Sequence, residues 1–376
     1  MNKQQYHRLM EVAFKLNSDL PEEFQSQILD EGLRELQYRQ KGKNERKILL
    51  IGGAGYIGSV LTKELLKFGY QIRCLDFLLY ENNECVTPFL MDEQYEFLYG
   101  DFTDTKIVSQ ALIGVSDVVI LGGLVGDPIT KKYPDISHKI NYSGMLNLID
   151  SLNNKCLNKV IFISTCSNYG IVDDNHLADE NFQLSPLSLY AKAKVSIEEY
   201  LCSLRGKIDY HPTILRFATA FGLSPRMRFD LTVNQFTREL FLGNEVLVYD
   251  AETWRPYCHV KDFSLVVKRV LESPLELVSF ETFNVGGDTN NFTKSMVIDE
   301  VKKIIPYAKV TFQEKGPDPR DYRVSFKKIR ENLYFEPRYS IADGIKEILI
   351  AMRQSIFNNV ELRKNFYENN QIMYAA

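Results

Sequence analysis

The stretch that most constrains this chain is Lys47 to Ser59, KILLIGGAGYIGS. Lys47 to Ile51 is a short, nearly all-apolar run, the composition of a strand buried on both faces. It leads directly into three glycines, Gly52, Gly55 and Gly58, and a helical pattern from Tyr56 to about Phe68. Small residues let a backbone approach a phosphate, which then sits on unpaired N–H groups at the helix N-terminus. The spacing is Gly-x-x-Gly-x-x-Gly, not the Gly-x-Gly-x-x-Gly of most dinucleotide dehydrogenases. Taken alone, it also fits a tight turn between core elements. Gly52, Gly55, Tyr56, Ile57 and Gly58 are the candidate phosphate contacts.

The second strand narrows the ligand. The helix pattern stops at Gly69, Gln71 to Leu75 reads as that strand, and Asp76 closes it. An acidic side chain this far beyond the first glycine accepts hydrogen bonds from an adenosine ribose. Phe77, Leu78 and Leu79 come next, with no Arg or Lys to receive a 2′-phosphate. NAD is therefore expected over NADP. The alternative for Asp76 is an ordinary strand-end turn residue.

A chain of 376 residues can hold a large core, as one compound domain or two intimately joined ones. Its net charge of −4 gives no electrostatic case for nucleic acid or an anionic membrane. No apolar run is long enough to span a bilayer, and MNKQQYHRLM lacks the apolar centre of a signal peptide. The 6 cysteines are scattered without Cys-x-x-Cys spacing, and the 5 histidines form no ligand pattern. Reduced thiols, no metal site and a cytoplasmic location are expected.

Residues 1–45 read as a helical extension. Ser18 can cap a helix carrying Pro21, Phe24, Ile28, Leu33 and Leu36, and a second helix fits Tyr6 to Leu16. The extension is either an oligomerisation element or a helical pair lying on its own domain. From 46 onward strands and helices alternate, with strands at Tyr95–Tyr99, Val118–Leu121 and Val160–Ser164 and a helix from about Ile136 to Leu152. This rhythm predicts an α/β fold: a doubly wound parallel Rossmann sheet with a smaller mixed α/β substrate lobe. The expected boundaries are 46–222 for the Rossmann domain, with a return near 256–272, then 223–255 and 273–350 for the lobe. A C-terminal helix and tail would occupy 351–376.

Strand ends are where such sheets bind ligands. After the fifth strand comes Thr165-Cys166-Ser167-Asn168-Tyr169-Gly170, and later Tyr190-Ala191-Lys192-Ala193-Lys194 opens a helical pattern. With 21 tyrosines in the chain, a Tyr-x-x-x-Lys pair arises readily by chance. Its force lies in the order: glycine turn, strand-end hydroxyl, then Tyr and Lys one helical turn apart. An ammonium at Lys194 favours the phenolate of Tyr190, which would make it a base near neutral pH. Thr165 would hydrogen-bond the reacting oxygen.

These residues resemble the extended short-chain dehydrogenases/reductases that act on nucleotide-activated sugars, the group of UDP-galactose 4-epimerase and the 4,6-dehydratases. The resemblance spans about 46–350. It rests on IGGAGYIGS, Asp76, Gly100-Asp101-Phe102, ISTCSNYG, YAKAK, Leu215-Arg216 with Phe221-Gly222, Arg255 to Asp262, and Phe283 to Gly286. It implies NAD as cofactor, a nucleotide-sugar substrate, and Thr165, Tyr190 and Lys194 as the catalytic set. Asp101 and Phe102 would flank the adenine and Leu121 would line the cofactor site. Thr165, Asn168, Arg228, Asn234, Arg255 and Arg320 would meet substrate, Arg255 and Arg320 at its diphosphate. It also implies a homodimer or higher homo-oligomer and a place in polysaccharide biosynthesis. Ser224 to Asn234, SPRMRFDLTVN, is similar to the substrate loop of a subset that includes GDP-heptose C4-oxidising enzymes.

Departures bear on the reaction. The 4,6-dehydratases carry Asp-Glu directly after the catalytic Thr, where this chain has Cys166-Ser167, so dehydration is not expected, and Cys166 reads as structural, the alternative being an acid/base role. Thr219 replaces the usual Asn after the Leu-Arg strand, and Gly122 and Gly123 stand where relatives carry alanines. Oxidation of a sugar C4 hydroxyl is common to the 4-epimerase, C4 dehydrogenase and 4-ketoreductase readings. From another class, a non-catalytic NAD-binding regulator could keep the fold, but it would have no need of an activated tyrosine.

Overall fold

The computed structural model describes residues 3–4, 6–7, 46–173, 176–372 and 374. The expected helix beginning at Ser18 lies outside them. The fold is built on seven parallel strands: β1 Lys47–Ile51, β2 Gln71–Asp76, β3 Tyr95–Tyr99, β4 Asp117–Ile120, β5 Lys159–Thr165, β6 His211–Phe217 and β10 Glu281–Val285. Their order is β10-β6-β5-β4-β1-β2-β3. The direction of winding reverses between β1 and β4, which opens a crevice at the strand C-termini.

Alternate side chains along each strand fall into two cores. Ile48 and Leu50 pack with Leu61 and Leu65 of the helix Tyr56–Lys67 and with Val266 and Val270 of the helix Val260–Glu272. Leu49 and Ile51 face the other side, with Leu148, Ile149, Ile197 and Leu201. The sheet is thus covered on both faces, which is why β1 needs no polar alternation.

The second lobe holds two small sheets. β7 Thr219–Phe221, β9 Trp254–His259 and β11 Asn291–Thr293 form one; β8 Val246–Tyr249 and β12 Val310–Gln313 form the other. Its core gathers Phe221, Phe236, Leu240, Tyr257, Val297 and Ile345. The chain's return to the large sheet reaches further than 256–272, because β10 pairs with β6 from Glu281↔Thr213 to Val285↔Phe217. The sequence assigns this segment to the lobe because FNVGG carries no label for the sheet it joins. At the strand-to-helix corner, His259 accepts the Lys261 N–H and pairs with Glu347 at 2.6 Å, and Asp262 accepts the Arg338 and Tyr339 N–H groups.

The helical run expected near Ile136–Leu152 is present from Pro134 to Ser151, with a π-helical segment at Lys139–Gly144. Such wide turns often mark functional sites. This one carries Asn141, whose side chain brackets Leu124 by accepting its N–H (2.8 Å) and donating to its carbonyl (2.9 Å).

Candidate functional site

A cleft of about 900 Å³ runs along the strand C-termini between the sheet and the second lobe. One wall is the glycine turn. Gly52 has φ +84°, and a Cβ there would lie 2.7 Å from the Gly122 nitrogen; one on Gly58 would lie 2.4 Å from the Gly52 carbonyl oxygen. Both glycines are demanded by close backbone approach, the first across the switch point and the second where helix meets turn. Gly122 and Gly123 follow from the same crowding. A Cβ on Gly122 would press on Phe102 and Ile51, and Gly123, at φ +140°, sits against the Asn141 amide.

The helix Tyr56–Lys67 begins at Gly55 with no side-chain cap, so its first turn faces the cleft. The unpaired N–H groups of such a turn suit an anion. The Tyr56 ring does a different job. Its hydroxyl donates to the Gly222 carbonyl (2.6 Å) and accepts from the Asn234 amide (3.1 Å), pinning the two lobes together. Asp76 lines the cleft and accepts the Ala54 and Leu78 N–H groups at 3.0 and 2.8 Å. Leu121, Asp101 and Phe102 line it too. Asp101 accepts from the Thr103 N–H and from the hydroxyl of Tyr374.

Further along the cleft stand Thr165, Tyr190 and Lys194. β5 delivers Thr165 at its last residue, and the helix Leu189–Ser203, capped by Ser188 on the Ala191 N–H, presents Tyr190 and Lys194 on one face. Lys194 Nζ donates to the Ile163 carbonyl at 2.6 Å and lies 4.5 Å from the Phe162 ring centroid and 5.9 Å from that of Tyr190. Burial lowers its pKa to about 8, opposed by Glu198. The expected depression of Tyr190 is not what this environment produces. Burial pushes its hydroxyl well above the ordinary value; Arg228 and Arg320 pull it down and Asp127 pushes it up, but desolvation of the phenolate outweighs them. Thr165 Oγ1 donates to the Ser167 hydroxyl and accepts the Ser167 N–H, both at 3.1 Å.

The opposite wall carries Arg228, Arg255 and Arg320. Arg255 and Arg320 share Asp318. Arg320 makes a two-pronged contact with it at 2.7 and 2.8 Å, and Arg255 reaches it at 3.1 Å. Burial raises Asp318, yet Arg320 and Arg255 hold its carboxyl well below the usual range. Arg320 also pairs with Asp127 at 3.0 Å. Arg228 is held by Asp230 in a two-pronged pair at 2.9 and 2.6 Å.

Two residues expected at substrate lie elsewhere. Asn168 is fully buried outside the cleft, donating to Glu198 at 2.8 Å and Ser164 at 3.2 Å. Asn234 is fully buried as well; it accepts the Gly222 N–H at 3.0 Å and donates to Tyr56 and to the Arg228 carbonyl. Their short polar side chains satisfy backbone and network partners that only the folded lobes bring near. Cys166 is buried, with Sγ on the Arg216 carbonyl at 3.2 Å, and burial raises its thiol. Conversely, Asp127, Ser167, Asp318 and Tyr322 line the cleft without having been singled out as contacts. Gly126-Asp127-Pro128 could have been noticed, since it opens a helix just past the end of β4. Tyr322 carries no such signal.

A family model described as the NAD-dependent epimerase/dehydratase family matches residues 48–286. The chain belongs to that family. Members of the family use NAD, and the glycine turn, uncapped helix and Asp76 fit that cofactor. Relatives include a UDP-glucose 4-epimerase of Lactobacillus helveticus, 24% identical and covering 80% of this chain and 94% of its own. A dTDP-glucose 4,6-dehydratase of Streptomyces niveus is 25% identical, covering 80% and 91%. Among solved structures, the UDP-glucose 4-epimerase of Thermotoga maritima with UDP-glucose superposes with a TM-score of 0.73 at 25% identity, covering 82% of this chain and 99% of its own. Among the described residues, no helix is long and apolar enough to cross a membrane and no cluster of potential metal ligands occurs.

Proposed function

We propose that this family member is a nucleotide-sugar 4-epimerase, acting on the C4 hydroxyl of a nucleotide-activated sugar through a 4-keto intermediate. The observation that carries the reading is the convergence of Thr165, Tyr190 and Lys194 on the cleft that holds the glycine turn. Cys166 and Ser167, in place of a carboxylate pair, support epimerisation over dehydration, as do relatives named UDP-glucose 4-epimerase.

In this mechanism Tyr190 takes the proton from the C4 hydroxyl; burial opposes the phenolate this requires, and Lys194, Arg228 and Arg320 are the cations beside the cleft that favour it. Thr165, already oriented by Ser167, hydrogen-bonds the sugar oxygen as it becomes a carbonyl. NAD supplies the hydride acceptor and, in the second half, the donor. The 4-keto sugar turns over in the cleft so that hydride returns to the opposite face of C4, and Tyr190 gives its proton back to the C4 oxygen. Arg255 and Arg320, braced by Asp318, receive the substrate diphosphate, for which guanidinium forks are suited. The reading carries with it a cytoplasmic homo-oligomer serving polysaccharide synthesis.

The test is incubation with NAD and a panel of UDP-, GDP-, CDP- and dTDP-sugars, following NADH absorbance and sugar identity by NMR together. A new C4 epimer without net NADH is expected. Accumulating NADH with a 4-keto product would instead make the enzyme a C4 dehydrogenase, for example of a GDP-heptose, and consumption of added NADH by a 4-keto sugar would make it a ketoreductase. Tight NAD binding with no turnover across the panel would favour the regulator.

A further inference from the structure

Arg226 is a buried cation of the cleft that the proposed mechanism does not use. It is only 2% exposed, yet it lines the cleft, and its charge acts on Asp76 at the end of β2. Its guanidinium sits 4.1 Å from the ring centroid of Tyr80. One nitrogen donates to Asn369 Oδ1 at 2.7 Å, while Nε is buried with no hydrogen-bond partner among the described residues. Its neighbour Arg228 has a carboxylate; Arg226 has none in contact among the described residues. Burial and the nearby Arg228 lower its pKa to about 10. A buried guanidinium with an unmatched donor and no contacting counter-charge calls for an anion.

The tail that holds Arg226 is itself woven into the cleft. Asn369 donates through its backbone to Asp230 (3.2 Å) and through its amide to the Val125 carbonyl (2.9 Å). Lys132 reaches the Asn370 carbonyl at 3.2 Å, and Ile372 packs with Leu124, Ile129 and Ile140. Tyr374 then sits edge-on to Phe77 at 5.9 Å and donates to Asp101, next to the two acidic strand ends where an adenosine is expected. The tail residues themselves, Asn369 to Tyr374, lie beyond residue 286, where the family match ends.

We propose that Arg226 binds the dinucleotide diphosphate from the second lobe, opposite the glycine turn, and that the C-terminal segment retains the cofactor by holding Arg226 and closing over the adenosine end with Tyr374. The inference deepens the epimerase reading, because an enzyme that takes hydride and returns it has no need to release its dinucleotide. It does not depend on the identity of the sugar.

The test measures binding of NAD, UDP and GDP to wild type, Arg226→Gln and a chain ended after Gln371, with apo melting temperatures as folding controls. NAD release is followed by stopped-flow fluorescence. Arg226→Gln is expected to weaken NAD at least 10-fold while leaving UDP and GDP unchanged. The shortened chain, which keeps Asn369, is expected to release NAD at least 10-fold faster with the same melting temperature. Unchanged NAD affinity in Arg226→Gln would overturn the diphosphate assignment, and weakened UDP or GDP instead would give Arg226 to the substrate. Unchanged release from the shortened chain would overturn the retention role. Should the shortened chain melt early, Tyr374→Ala replaces it with the same expectation. Because no sugar is present, these results stand or fall separately from the epimerase assay.

Discussion

The two ends of β5 each bury a lysine, and they treat it differently. At the N-terminal end, Lys159 donates to three carbonyls, of Val270, Leu271 and Ser273, at 2.9, 2.8 and 2.5 Å. It thereby closes the C-terminus of the helix Val260–Glu272. Beside it, Asp117 takes a two-pronged pair from Arg46 at 3.0 and 2.7 Å. At the C-terminal end, Lys194 makes one hydrogen bond, to Ile163, and otherwise meets aromatic rings. Burial lowers both, to about 7 and about 8. Lowered pKa therefore does not distinguish the lysine proposed to act in catalysis from the one that caps a helix. Unused hydrogen-bonding capacity in a cleft does.

The sharpest way to break this comparison is Tyr190→Phe. Removing the proposed base beside Lys194 should lower turnover about 1,000-fold while NAD affinity and melting temperature hold, measured by sugar NMR and calorimetry. Wild-type turnover would mean that the C-terminal end of β5 is no more catalytic than the other.

Lys159→Met should do the reverse. Three buried carbonyls lose their donor, costing about 3 kcal/mol of stability in urea denaturation, with turnover per folded molecule unchanged. If turnover fell instead, the two ends would be coupled.

Arg255→Ala should raise KM for the nucleotide sugar about 10-fold, the scale of one charge-assisted contact, and leave kcat nearly intact. Steady-state kinetics separates the two.

The smallest effect is one of pH. Lys194 holds its proton more weakly folded than unfolded, so between pH about 8 and 10.5 the unfolded chain binds more protons and stability rises with pH. Relative to Lys194→Met, wild type should gain roughly 1 kcal/mol between pH 7 and 9. Urea titrations at both values check the sign; a flat difference would place the Lys194 ammonium in a more solvated setting.

Much of the site was legible because it is local. KILLIGG, Asp76, Thr165 and the Tyr190–Lys194 pair each lie where a strand ends or a helix begins, and doubly wound sheets bring all strand C-termini to one edge. Their convergence follows from periodicity and order alone. The arginines of the second lobe were legible as charges but not as partners. Nothing in SPRMRFD tells that Arg228 takes Asp230 while Arg226 goes to Asn369, far along the chain.

Sequence by itself thus determined the sheet, its glycine turn and the strand and helix ends that carry Thr165, Tyr190 and Lys194, since backbone geometry and short-range spacing specify them. Tertiary structure alone decided the rest. It took Asn168 and Asn234 out of the cleft, joined Glu281–Val285 to the large sheet, and raised rather than lowered the Tyr190 hydroxyl. Desolvation and long-range hydrogen bonding depend on which distant segments close over a side chain, and no local pattern encodes that.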